Sequence, residues 1–323
     1  MLNSPVKCDM RIVFMGSSEF GVPSLDRLAK SEHTLVAVYA PPDKPAGRGH
    51  RLTVPIIKEA GGRHGVPVFQ PESLRSTAEI ERLAALAPDL IVVVAYGKLL
   101  PRPILDLPPY GCLNLHPSLL PRYRGPSPIA AAILAGDRET GVTLMLLDEG
   151  LDTGPILAQK KVAVKPGDTA ESLGSRLALA GAELLMDSLP EWFARRLRPL
   201  PQEETSATYT VRITKKDGEI DWNLPAEEIE RRIRAFHPWP GGYTFWEGKV
   251  LKIVEAVPFS ERVNGAPGTV VPISFCPDIP LGVITGKGVL GLRRIQIEGR
   301  KALPSDEFAR GYRGFVGARL GAG

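Results

Sequence analysis

Residues 88–95 read PDLIVVVA. The last six are apolar, and Ile91, Val92, Val93 and Val94 are β-branched, which suits an extended backbone. A half-exposed strand would alternate apolar and polar residues, so an unbroken apolar run means that both faces are covered. The stretch before it, 77–87, has a different period: Ile80, Leu83 and Ala87 share a helical face, and Pro88 ends it. A helix followed by a doubly buried strand is the repeating unit of a parallel sheet wrapped by helices.

The same unit recurs on either side. Towards the N-terminus, residues 11–15 form a short apolar run closed by Gly16, and 20–30 have helical spacing. Residues 34–40 form a second run, stopped by Pro41 and Pro42, then a helical 54–64 and a brief strand at 66–69. Towards the C-terminus, 111–116 read as a further strand. Residues 142–147 and 155–164 form a strand pair joined through 148–154, and 168–196 form a long helix. Asp168 and Glu171 give that helix a capping-box start, and Leu173, Leu177, Ala180 and Leu184 form its buried stripe. The expectation for 10–198 is a Rossmann-like, doubly wound, mostly parallel α/β sheet. Residues 1–9 are expected to be a disordered extension.

Residues 199–209, opening PLPQEETSA, lose periodicity and gain Pro, Glu, Ser and Thr, a linker composition. Beyond them, 210–323 are expected to form a smaller C-terminal β-barrel of OB-like type. Its runs YTFW, VLKIVEAV, GTVV, LGVIT and VLGLRRIQI are short, β-branched and divided by Gly and Pro. One helix stands out at 225–236. Ile229, Ile233 and Phe236 share a face, and Glu-to-Arg pairs lie at 227/231, 228/232 and 230/234.

Bulk composition narrows the function classes. The chain has 323 residues, 43% hydrophobic and 24% charged, enough for two ordinary globular domains. No stretch approaches the roughly 20 apolar residues that span a bilayer, and MLNSPVKCDM lacks the apolar centre of a secretory signal. Residence in the cytoplasm is therefore expected. Cys8, Cys112 and Cys276 are scattered and the five histidines form no HxxxH pair, so neither a disulfide framework nor a metal is expected. Residues 1–209 carry 23 Lys and Arg against 23 Asp and Glu, while 210–323 carry 17 against 13, which places the net charge of +4 in the C-terminal third. A mildly basic module beside a neutral one fits a polyanionic partner, though weakly.

The chemistry concentrates at 111–116, GCLNLH. A strand sets i and i+2 on one face, so Asn114 and His116 project together and Leu113 and Leu115 point the other way. Two polar side chains side by side on an apolar strand need partners or a cleft. Their place at the C-terminal end of a sheet strand is where open α/β folds put their sites. Pro117 opens a Pro- and Arg-rich loop, SLLPRYRGPSPI from Ser118, which feeds a helix at 128–134 ended by Gly136. Asp148, Glu149 and Asp152 then lie on a Gly-bounded turn, as solvated acids or with one of them a buried base. An amide, an imidazole and a carboxylate suit attack of an amine on a carbonyl, which develops a negative oxygen and sheds a proton. On residue chemistry alone, acyl transfer, hydrolysis and amine binding all remain open.

These segments resemble the folate-dependent formyltransferases. The resemblance rests on Asn114-x-His116, SLLPRYRG and the Asp152 turn. It extends to PDKPAGRG at 42–49, AYGKLLP at 95–101, DGEIDW at 217–222 and PWPGGYT at 238–244, and so covers essentially the whole chain beyond its first residues. The PAGRG, IDW and PWPGGYT segments are those of the branch that acts on aminoacylated tRNA. The resemblance implies 10-formyltetrahydrofolate as co-substrate, with no metal. It implies the α-amino group of methionine on initiator methionyl-tRNA as acceptor. Asn114 and His116 would polarise the formyl group, and Asp152 would orient His116 and help remove the ammonium proton. Ser118, Leu119, Leu120 and Pro121 would border the folate, and Arg48 would guide the tRNA end. His237 departs from the small polar residue expected before PWPG. The alternative within enzymes is a formyltransferase for an amino sugar nucleotide or other small amine. A non-catalytic RNA-binding protein on this scaffold would have lost Asn114, His116 or Asp152, and all three are present. Gly16 and Gly21 in MGSSEFG lack the GxGxxG spacing of a dinucleotide loop, which argues against a dehydrogenase.

Overall fold

The computed structural model describes residues 9–46 and 51–321. Apart from Asp9, the expected N-terminal extension lies outside the described residues, as do Cys8 and Arg48. The chain divides into two compact units. The first takes in the chain through Pro128, Glu139–Ala163 and Gly174–Thr210, and the second Ile129–Arg138, Val164–Leu173 and the chain from Val211 on.

The first unit is built on the expected sheet. Its elements run β1 (Arg11–Gly16), α1 (Val22–Ala29), β2 (Thr34–Tyr39), β3 (Lys44–Ala46), β4 (Arg51–Thr53), α2 (Ile56–Arg63), β5 (Val68–Phe69), α3 (Thr77–Ala85), β6 (Leu90–Val94), α4 (Arg102–Leu105) and β7 (Cys112–His116). They continue with β8 (Glu139–Leu146), β9 (Ile156–Ala163) and, from Gly174 on, α6 (Ala170–Phe193), whereas α5 (Pro128–Ala135) belongs, but for its first residue, to the second unit. Seven strands lie in the order β5-β2-β1-β6-β7-β8-β9. The first five pair in parallel, and β8 and β9 add an antiparallel edge. The strand order reverses between β1 and β6, the place where such sheets open a crevice at their C-terminal ends.

Both faces of β6 are covered, as its composition demands. Ile91 and Val93 join Val13, Met15, Tyr39, Leu83 of α3 and Ile104 of α4 in one core. On the opposite face Ile57 of α2 reaches the Phe14–Val94 layer, and Gly61 lies against Val38. Burying one Val, Leu or Ile side chain contributes about 1.5–3 kcal/mol, so this two-sided core outweighs any single polar contact in the unit. The middle of α6 lies directly on β7 and β8. A Cβ on Gly181 would stand 3.3 Å from Val142 and 3.6 Å from Leu115.

The start of α6 differs from its sequence pattern by one residue. Thr169 and Ser172 form the reciprocal cap: Ser172 N donates to Thr169 Oγ1 at 3.1 Å, and Thr169 N donates to Ser172 Oγ at 3.0 Å. Asp168 instead accepts from Lys165 N and from the Ser172 hydroxyl, bracing the turn before the helix.

In the second unit α7 (Ala226–Ala235) precedes β10 (Gly242–Trp246), β11 (Lys249–Phe259), β12 (Val270–Pro272), β13 (Leu281–Ile284), β14 (Val289–Ile297), β15 (Leu303–Pro304) and α8 (Ser305–Gly311). The antiparallel order is β10-β11-β14-β13-β12. The last described residues close it. Val270 N donates to Ala318 O, Leu320 N to Gly268 O and Gly321 N to Phe245 O, so the tail bridges the far edge at β12 back to β10. Ile229 and Ile233 of α7 enter the barrel core with Trp222 and Leu251. Trp246, Phe308 and Phe315 fill one end of it edge to face. Of the three expected Glu-to-Arg pairs in α7, 230/234 forms, with Arg234 Nη2 2.9 Å from Glu230 Oε2. Arg231 and Arg232 reach the carbonyls of Leu134 and Asp217 instead.

Candidate active site

Asn114 and His116 are the polar members of β7, 8% and 4% exposed. Strand pairing fixes their height: Asn114 lies in register with Val93 of β6, and His116 with Thr143 of β8. Both open into a cavity of about 560 Å³ in the first unit. Its walls come from the segment after β6, Ala95 to Leu100, from Gly125 and Pro126 in the loop after β7, and from the turn Leu147 to Asp152. That volume lies within the range of small-molecule sites, and leucines with a few convergent polar groups are their usual lining.

The imidazole is oriented by its own loop. His116 Nε2 lies 2.9 Å from the carbonyl of Tyr123. A carbonyl only accepts, so Nε2 carries the proton and the neutral ring presents an Nδ1 lone pair. That nitrogen faces Asp152 Oδ2 at 3.6 Å. The carboxylate is fixed from its other side, where Gly125 N donates to the same oxygen at 2.8 Å. Burial pushes the His116 imidazole below its usual range, while the Asp152 carboxylate and the Tyr123 carbonyl act in the other direction.

The three acids of the turn have separate places. Asp148 accepts from Gly150 N and from the Thr153 hydroxyl, and shapes the turn. Glu149 is exposed. Asp152 alone of the three approaches His116. The turn needs its glycine at 154, since a Cβ there would stand 1.9 Å from the carbonyl of Leu146.

Backbone strain gathers around the cavity. Ala95, Tyr123 and Asp152 have φ of 49°, 62° and 54°, left-handed values for residues that carry a Cβ. Each such residue costs about 1–3 kcal/mol and persists only where its surroundings hold it. Ser17, just after β1, donates its hydroxyl to the carbonyl of Ala95. Lys98 donates to the carbonyls of Pro71 and Glu72 at 2.7 and 2.8 Å, which anchors the far end of that wall.

Ser118, Leu119, Leu120 and Pro121 are not among the residues that line the cavity; from this loop Pro117, Gly125 and Pro126 do. The four are held against β8 and β9. Thr143 donates its hydroxyl to Ser118 O at 2.7 Å and accepts from Leu120 N at 3.0 Å, and Gln159 donates to Leu120 O at 2.9 Å. The Ser118 hydroxyl turns inward to Arg122 O at 2.6 Å. Thr143 and Gln159 carry no motif, and only strand register brings them under the loop. The expected linker, 199–209, also packs on this unit: Leu200 exchanges hydrogen bonds with Ile156, and just past its end Thr210 N donates to Arg124 O.

Cys112 sits beneath the site, where burial pushes its thiol up to about 12, so it supplies no thiolate near neutral pH. Among the described residues no group of three or more His, Cys, Asp or Glu is placed to hold a metal, and no helix is long and apolar enough to cross a membrane. His237, the residue that departs from its motif, lies 3.3 Å from Glu171 in the second unit, away from these groups.

Comparison with known proteins finds matches along most of the chain. Residues 10–189 match the family described as formyl transferase, and 212–313 match the formyl transferase C-terminal domain. A methionyl-tRNA formyltransferase of Hydrogenovibrio crunogenus is 43% identical over 312 residues, 97% of this chain and 99% of that one. Another, from Chloroflexus aurantiacus, is 47% identical over 302 residues, 94% and 97% of the two chains. Among solved structures, HypX from Aquifex aeolicus in complex with tetrahydrofolic acid superposes with a TM-score of 0.62 at 20% identity, over 95% of this chain. This chain spans about half of that longer protein, 48%, and the likeness is one of fold.

Proposed function

The chain belongs to the formyl transferase family, and from that premise we propose that it transfers the formyl group of 10-formyltetrahydrofolate to the α-amino group of methionine on initiator methionyl-tRNA. One observation carries the chemistry. His116 Nδ1 and Asp152 Oδ2 are two proton acceptors 3.6 Å apart at the wall of a cavity that also presents the Asn114 amide.

The folate supplies the formyl group, bound to nitrogen. The residues present fit such a ligand: Leu100, Leu147 and Leu151 offer an apolar slot, and Gly97 and Asp148 offer polar groups to a flat heterocycle. Asn114 donates an amide N–H to the formyl oxygen, and that bond strengthens as the carbonyl becomes an oxyanion. His116 takes one proton from the attacking amine at Nδ1. Asp152 accepts a hydrogen bond from the same nitrogen and stabilises the imidazolium while it lasts. The new bond joins the amine nitrogen to the formyl carbon. As the old carbon–nitrogen bond breaks, His116 returns its proton to the departing nitrogen, so one N–H is lost and one gained. Because Nε2–H is committed to Tyr123, His116 serves as the proton carrier and Asn114 as the oxyanion donor.

Ser118, Leu119, Leu120 and Pro121 contribute from behind the folate wall, where Thr143 and Gln159 fix the loop that holds Tyr123 and Gly125. The tRNA contact assigned to Arg48 rests on the PDKPAGRG match alone. The excess of basic residues beyond 209 favours a polyanionic acceptor, and a tRNA acceptor supports a cytoplasmic reaction. A comparison of acceptors tests the assignment. With 10-formyltetrahydrofolate as donor, methionyl initiator tRNA should be formylated far faster than methionyl elongator tRNA or a nucleotide-linked amino sugar. Preferred formylation of the amino sugar overturns it.

A further inference from the structure

We infer that Gln202, on the stretch that joins the two units, is a positioning residue for Asp152. The inference rests on the formyl-transfer reaction proposed above and adds a residue to it. Asp152 is held at φ 54°, so something must fix its backbone as well as its carboxylate. The side-chain amide of Gln202 does so with both of its protons. Nε2 donates to Asp152 O at 2.8 Å and to Gly154 O at 2.7 Å. The amide orientation is unambiguous, because two carbonyls require donors and Gln202 Oε1 accepts from Arg124 Nε at 3.0 Å.

Arg124 completes the clamp. Its side chain is fully buried, with Nη2 2.7 Å from Glu204 Oε1, Nη1 2.9 Å from Glu204 Oε2, and Nη1 also 2.9 Å from the Tyr209 hydroxyl. Its backbone pairs with Thr208 and Thr210. The residues on either side of Arg124 are those that touch the catalytic pair: the Tyr123 carbonyl accepts from His116, and Gly125 N donates to Asp152. One guanidinium, gripped by residues 202–210, thus sets the loop that orients His116 and the glutamine that orients Asp152. The catalytic carboxylate is placed from outside the strand-and-helix scaffold, by a stretch whose composition reads as a spacer.

The test is a double-mutant cycle on the full chain. Gln202→Ala and Gln202→Glu are each assayed by single-turnover formylation of methionyl initiator tRNA, alone and with Asp152→Asn, and folate binding is followed by calorimetry. Gln202→Glu keeps the side-chain shape and the acceptor for Arg124 while deleting both donors. Each substitution alone should lower the rate about 10- to 100-fold, the scale of a misplacement near 1 Å. Folate stoichiometry and affinity should stay at the wild-type values. In the Asp152→Asn background the same substitutions should change the rate by no more than about 2-fold, the scatter with which independent effects add. Equal losses in both backgrounds mean general destabilisation and overturn the role, as does a rate near wild type for Gln202→Glu. Should Gln202→Ala bind less than one folate per chain, Gln202→Glu decides. An inactive wild-type protein refutes the reaction itself, whereas an active wild type with indifferent Gln202 variants refutes this role alone.

Discussion

At the scale of the residue, the 3.6 Å between His116 Nδ1 and Asp152 Oδ2 is a space between two acceptors, wide enough for an N–H group to serve both. Its consequence for acid titration has a definite sign. Burial holds the folded-state value of His116 below the unfolded one, near 6.5. The unfolded chain therefore binds that proton more tightly. The stability tied to the neutral ring is complete above about 6.5 and drains as pH falls from there through the lower folded-state value. A histidine-labelled NMR titration should place His116 below about 6.5, and Asp152→Asn should lower it further by removing the carboxylate that favours the charged ring. A midpoint that stays put or rises in Asp152→Asn rules out the proximity described. His116→Ala should keep the fold and lose about 100- to 10,000-fold in kcat, the range of a proton-transfer group; near-normal turnover removes His116 from the reaction. Asn114 and His116 were legible because a strand period of two is local. Asp152 was separable from Asp148 and Glu149 only through the resemblance. Nothing local marks Gln202 or Arg124, whose partners stand 48 to 86 positions away.

At the scale of the element, apolar periodicity located the longer strands and helices, and the differences lie at ends and short pieces. The cap of α6 is the case in point. An acidic pair three apart matched the capping-box pattern, but Thr169 and Ser172, one residue on, take the two backbone donors. Thr169→Ala should cost about 0.5–2 kcal/mol in urea unfolding, and the exposed Glu171→Ala much less; the reverse order would restore the original register. Helices α4 and α8 and strands β3, β4 and β15 went unseen, because two to seven residues carry too little periodicity to read. Residues 199–209 raise a question of boundary. Thr208 and Thr210 pair with the loop after β7, so a chain ending at Thr210 should fold and bind reduced folate, while one ending at Arg198 should lose much of that affinity. Equal binding by the two, measured by calorimetry, would make the segment a spacer after all.

At the scale of the whole molecule, the fold class followed from two kinds of strand: doubly buried runs before residue 199, and short β-branched runs divided by Gly and Pro after 209. A C-terminal barrel was expected, but the residues that close it were not legible, since 317–321 bridge two strand edges distant in sequence. The proposed partner is signalled by charge only as a faint excess, and by the motifs much more clearly. Arg48 tests that partner. Arg48→Ala should leave folate binding unchanged, weaken transfer to methionyl-tRNA, and flatten the salt dependence of tRNA binding by about one unit of slope or less. An unchanged kcat/KM at every salt concentration returns Arg48 to the solvated surface.

The claim that joins these scales is that the Asn114, His116 and Asp152 cluster catalyses formyl transfer to a tRNA-borne amine. Its most direct test is single-turnover transfer of labelled formyl from 10-formyltetrahydrofolate to methionyl initiator tRNA, by the wild-type chain and by Asp152→Asn, with folate bound to saturation in both. The expected result is rapid formylation by the wild type and a loss of about 100-fold or more in the variant. Formylation at similar rates by both, or none by the wild type, would contradict it.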